Sequence, residues 1–133
     1  MAGYTVVNLK REVEDQAPKF GWAPNIEARF AAGPLELENS GVSYQRLAPN
    51  FRFPFGHKHK VQEELYVILR GSARMKLDEE VVDLNAWDGV RVSPDTIRCF
   101  EAGPDGVEYL AFGAPNTGPV AADVEPLPNW WTD

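Results

Sequence analysis

The 133-residue chain is 44% hydrophobic, 25% charged and 11% aromatic, a composition that suits one globular domain able to bury roughly 65–70% of its unfolded surface without a disulfide or metal. Its net charge is −7, its pI is about 4.8, and its cations are scattered, which argues against nucleic acid and anionic membrane as partners. The single cysteine, Cys99, excludes an internal disulfide framework, and the longest strongly apolar run, residues 65–69, is far short of the ~20 residues needed to span a bilayer as a helix.

The opening Met1-Ala2-Gly3-Tyr4 lacks a basic region followed by an apolar core. No signal peptide is expected, and the expected setting is a reducing cytoplasm. Residues 9–15 form the best helical candidate, with Asn8 as N-cap. Residues 18–24 read as a loop anchored by Phe20 and Trp22. From residue 26 the pattern turns to strands: 26–31, 35–37 and 42–47, broken at Gly33-Pro34 and Ser40-Gly41. Strands 64–69 and 72–77 flank Arg70-Gly71. The second alternates Ala73, Met75 and Leu77 against Ser72, Arg74 and Lys76, the mark of a half-buried strand. Strands 81–84, 89–92, 96–100 and 107–112 follow, separated by Pro- and Gly-containing turns. Many short strands predict an all-β jelly-roll barrel. Residues 1–39 are expected as an N-terminal extension with lead-in strands, 40–113 as the barrel, and 114–133 as an extended tail. Trp130 and Trp131 in that tail are expected to pack on the barrel wall, its mouth or a second subunit.

The chemistry concentrates in residues 56–71. His57 and His59 are two apart, so in extended backbone they leave the same face. Glu64 opens the next strand and returns to that face after a short turn. Two imidazoles and a carboxylate make a facial set for a divalent transition metal with open positions left over. Tyr66 and Ile68 share Glu64's face by the period of two.

This segment resembles the first motif of the cupin family: His-x-His, four residues, Glu, six residues, Gly, here His57, His59, Glu64 and Gly71. The resemblance implies a double-stranded β-helix barrel, usually a homodimer, with a metal or ligand pocket inside. The family's second motif (Gly-Asp, apolar residues, Pro-x-Gly, two residues, His) is altered. Asp88 matches, but Trp87 stands at the Gly, Ser93 at the Pro, Asp95 at the turn Gly, and Arg98 at the metal-binding His. Cys99 is next to Arg98 but leaves the opposite face, so it reads as a small buried hydrophobe.

An inward guanidinium would repel a like unit charge ~4 Å away by roughly 4 kcal/mol at an effective dielectric of about 20. Arg98 therefore has three placements: paired with Glu64 in a metal-free pocket, turned toward an anionic ligand beside a His-His-Glu metal site, or at the solvent rim. The first two are favoured equally. Arginine grips carboxylates and phosphates bidentately, so the expected ligand is a small, anionic molecule, walled by Tyr66 and Phe100. Strand 42–47 leaves open whether Gln45, or Tyr44 and Arg46, face inward. Three functions follow: a metal-dependent enzyme with Fe, Mn, Ni or Zn at His57, His59 and Glu64, acting as a Lewis acid or binding dioxygen; a metal-free binding or sensing module with Arg98 paired to Glu64; and an isomerase using His57 or His59 as acid–base.

Overall fold

Two long antiparallel strands, β4 (Glu63–Leu77) and β7 (Arg98–Ala114), organise the structure, a computed structural model that describes residues 2–119 and 122–133. The shorter strands are β1 (Ile26–Phe30), β2 (Gly41–Leu47), β3 (Phe55–His59), β5 (Glu80–Asn85), β6 (Gly89–Val92) and β8 (Val124–Pro128), with a 3₁₀ turn over Ala17–Phe20, where a loop is expected, and an α-helical turn, α1 (Ala32–Leu35). The first half of β4 lies between β6 and the second half of β7, which continues through β2 to β1. The second half of β4 lies between β5 and the first half of β7, which meets β3 through the pair His57–Arg98. β8 closes the outer side of β3. The two long strands thus run through both layers, and the curled antiparallel sheet is the expected double-stranded β-helix barrel.

The bend in both strands has a local cause. The register steps from Gly71↔Val107 to Ala73↔Ala102, so residues 103–106 bulge from β7. Gly71 has a φ of 78°, and a Cβ there would lie 2.0 Å from the Gly106 carbonyl oxygen. Only glycine fits that crossing. The sequence reads 70–71 and 102–106 as turns between separate strands; the structure keeps both chains continuous and uses these residues as a bend and a bulge.

Three further expectations are corrected. Residues 9–15 form no helix. Asn8 does cap a turn, its Oδ1 accepting from the Lys10 and Arg11 amides at 3.0 and 2.9 Å. The chain then leaves because Val13 is buried and Asp15 bridges to Arg29. Residues 35–37 are not a strand: the Gly33-Pro34 pair sits in the first turn of α1, where proline's missing N–H is tolerated. The C-terminal segment is not merely an extended tail, because it supplies β8. Trp131 is buried beneath the Arg52 and Arg74 guanidiniums, 4.2 and 5.3 Å from its ring, and Lys76 lies over Trp130. The tryptophans therefore pack on the chain's own wall.

The core alternates as the period of two requires. Tyr66, Ile68, Ala73 and Met75 of β4 face Phe100, Ala102, Val107, Tyr109 and Ala111 of β7. Phe53 and Phe55 cluster with Trp22 at one end, at ring separations of 5.3 and 6.0 Å. Among the described residues, no helix is long and apolar enough to cross a membrane.

Candidate functional site

The inner wall brings four of the expected side chains to one atom. β3 presents His57 and His59 from the same face, and residues 60–62 turn the chain so that Glu64 returns beside them. Arg98 opens β7 directly opposite His57. Glu64 Oε1 lies 3.0 Å from His59 Nε2, 3.5 Å from His57 Nε2 and 3.6 Å from Arg98 Nη1, and it accepts a hydrogen bond from the Tyr66 hydroxyl. The ligand atoms of His57, His59 and Glu64 all fall within 4.8 Å of one another. His59 is buried, while the His57 side chain keeps 25% of its exposure and so marks the open side of the cluster.

A fifth residue, Asp123, enters from the segment before β8. Its Oδ1 accepts from the Val61 amide at 3.1 Å, and its Oδ2 accepts from the Gln62 amide at 3.0 Å. Burial works to raise the Asp123 carboxyl, but these two amides and His59 overcome it and hold it below the ordinary carboxylate range. An ionised carboxylate can only accept, so His59 Nδ1, 3.1 Å from Asp123 Oδ2, must donate. In the neutral ring that leaves a lone pair on Nε2, aimed at Glu64 Oε1. Two acceptors at 3.0 Å need a cation between them, either a proton or a metal ion.

Electrostatics agree. Burial pushes the Glu64 carboxyl up, yet its contacts with His57 and His59 hold it far below its usual range, so it stays an acceptor. Burial pushes the His57 imidazole down, toward the neutral form that ligates metals. Burial, reinforced by Glu64, pushes the Tyr66 phenol well up, so it remains a donor. Arg98 is fully buried, at 0% exposure, which excludes the solvent rim. Its Nη2 donates to the Ser93 carbonyl at 2.8 Å, but Nε and Nη1 have no hydrogen-bond partner. A buried guanidinium with two unsatisfied donors matches an anion receptor better than a closed ion pair. Two imidazoles, one of them anchored by a carboxylate, and the Glu64 carboxylate fit a divalent transition metal.

The other expected residues take plainer places. Phe100 packs edge-on to Tyr66 at 5.1 Å and stacks on Tyr109 at 4.4 Å, inside the barrel. Gln45 is the inward residue of β2, accepting from the buried Tyr109 hydroxyl at 3.0 Å, whereas Tyr44 and Arg46 pair with Glu108 and Glu27. Cys99 is buried away from the cluster, and its thiol reaches the Phe53 carbonyl at 3.5 Å. A hollow of about 430 Å³ bordered by Ser72, Arg74, Asp83 and Glu101 shares no residue with the histidine cluster. Asp123 is the functional residue that the sequence does not reveal, because it belongs to no spaced motif. The one available signal is general: a ligating histidine needs a partner for its second nitrogen.

No family model and no curated protein matches the chain. Its fold is nevertheless shared by many solved structures. A cupin protein from Bacteroides fragilis is 25% identical over 90% of this chain and 90% of its own, with a TM-score of 0.71. A protein from Klebsiella pneumoniae with a double-stranded β-helix domain is 15% identical, covering 92% of this chain and 96% of its own, at a TM-score of 0.69. A tryptophan variant of oxalate decarboxylase from Bacillus subtilis is 21% identical and matches 92% of this chain at a TM-score of 0.75. The match spans only 33% of that longer enzyme, which carries Mn(II) centres.

Proposed function

We propose that this chain of cupin fold holds a divalent transition-metal ion at His57, His59 and Glu64, and that Arg98 receives a small anionic molecule beside it. The observation that carries the reading is the convergence of His59 Nε2 and His57 Nε2 on Glu64 Oε1, at 3.0 and 3.5 Å. A bound ion would supply Lewis acidity to the anion. The chain's own residues do the rest. Asp123 holds His59 with its lone pair inward, and Tyr66 steadies the Glu64 carboxylate. Arg98 offers its two unpaired N–H groups to the ligand's negative charge, while Tyr66, Phe100 and Tyr109 keep bulk water from the inner side. Manganese and a small carboxylate such as oxalate are the first ion and ligand to test, following the oxalate decarboxylase whose fold the chain shares.

The metal-free binding module draws support from the 3.6 Å approach of Arg98 to Glu64. It is the weaker reading, because that approach makes no hydrogen bond and leaves Nε and Nη1 unsatisfied. A homodimer is retained as part of the proposal. The outer sheet surface carries the cross-strand pair Leu65–Phe112, 42% and 37% exposed, and sedimentation would test it.

Protein purified without a polyhistidine tag is expected to bind one Mn, Fe, Ni or Zn ion per chain and to lose it on His57→Ala or Glu64→Ala. Folded wild-type protein that takes up none of the four would overturn the metal reading.

A further inference from the structure

We infer that Asp123 is the positioning residue of this centre: it selects the ligating tautomer of His59 and clamps the turn that returns Glu64 to the site. The inference rests on the metal reading and extends it to a residue outside the motif. Both carboxylate oxygens of Asp123 are engaged in this way. Oδ2 takes the His59 Nδ1 proton and the Gln62 amide, and Oδ1 takes the Val61 amide. Its backbone carbonyl accepts from the Lys60 amide at 3.0 Å. All three turn residues between β3 and β4 are therefore tied to one aspartate. The same aspartate is almost wholly buried, at 4% exposure, so these bonds exclude competing water.

The consequence is directional. Free imidazole favours the proton on Nε2, which would turn an N–H toward Glu64 and close the ring to metal. Asp123 opposes that preference, since its carboxylate can only accept and its contact with Nδ1 places the proton there, while a metal ion between Nε2 and Glu64 would satisfy the other side. The centre is thus assembled from three separate stretches: the His-x-His strand, the Glu64 strand and a C-terminal aspartate far away in sequence. The segment preceding β8 is part of the site rather than a covering for it.

Two measurements test this. The first is ¹⁵N NMR of metal-free Glu64→Ala protein, in which the carboxylate facing Nε2 is gone and Asp123 still faces Nδ1. The proton is expected on Nδ1; finding it on Nε2 overturns the inference. The second is calorimetric titration with Mn(II). Asp123→Ala is expected to weaken binding roughly 10–100-fold and to move the His59 proton to Nε2. Asp123→Asn can keep its amide oxygen on His59 Nδ1 and the Gln62 amide, but it sets its NH₂ against the Val61 N–H, a donor facing a donor, so it should lose affinity too but less than Asp123→Ala. A folded Asp123→Ala protein that binds Mn(II) within twofold of wild type overturns the inference. If Asp123→Ala does not fold, the tautomer in Glu64→Ala and the Asn variant decide it. Wild-type protein that binds no metal refutes the metal reading instead, and the NMR result still judges the role of Asp123.

Discussion

Replacing Arg98 by histidine tests the charge balance of the centre. The guanidinium stands 3.6 Å from Glu64 Oε1, the oxygen shared with both histidines. At that separation a unit charge interacts with another by about 5 kcal/mol at an effective dielectric of about 20. A dication at a comparable distance from Arg98 would be repelled by roughly twice that before the carboxylates and relaxation offset it. Even a fifth of the total, about 2 kcal/mol, is roughly a 30-fold change in affinity. Arg98→His removes the fixed charge and adds an imidazole where the second motif would have one. Calorimetry should show Mn(II) binding tightened by roughly 30-fold or more. The same variant should lose at least about tenfold in affinity for acetate or oxalate at the loaded site, because the anion's buried cationic partner is gone. Unchanged metal affinity in a folded Arg98→His protein would refute the argument that this guanidinium governs the centre.

Acid should weaken the metal-free protein in a specific window. Glu64 and Asp123 are both held below the ordinary carboxylate range when folded, so their contribution is present above the unfolded values near 4 and is lost as pH falls below them. Urea midpoints should therefore drop from pH 6 to pH 3, with a shallower drop in Glu64→Gln; parallel curves would refute this. Gly56→Ala should loosen the C-terminal tail, since a Cβ at Gly56 would meet Trp130 Cε3 at 2.7 Å. A loss of about 1–3 kcal/mol with red-shifted tryptophan fluorescence is expected, and an unchanged melting temperature would show that the tail shifts freely. Cys99 is 3% exposed, and its burial pushes the thiol up to about 11. It should react with a thiol reagent only after unfolding, so fast labelling of the native protein would contradict this burial.

What the sequence disclosed follows from periodicity. The alternation at 72–77 and the two-residue spacing of His57 and His59 are properties of extended backbone, so they survive folding unchanged. β8 was hidden because it contains Pro126 and Pro128, which argue against a strand. It forms because it pairs only with β3, at the sheet edge, where a missing amide on the free side breaks no ladder. Asp123 was hidden with it, since its role exists only once β8 has docked beside β3. Residues 102–106 read as a turn because their composition is that of a turn; the β4 crossing at Gly71 converts them into a bulge.

The altered second motif can be understood on the same terms. Trp87 holds a φ of 72° where the motif has glycine, with its side chain 76% exposed, and its amide donates to the Ile68 carbonyl at 2.7 Å. The turn keeps a glycine-type backbone despite the steric cost of a Cβ. The following loop still positions the site from behind. The Pro94 carbonyl accepts from the His59 amide at 2.7 Å, and the Ser93 carbonyl accepts from Arg98. The backbone that would aim a third imidazole is thus in place, and it aims a guanidinium instead. The geometry is kept while the chemistry at one vertex changes from a ligand to a fixed cation. A metal held there by three protein donors would have its remaining positions beside a positive charge. The ligand best able to complete such a centre is an anion, with one oxygen for the ion and another for Arg98.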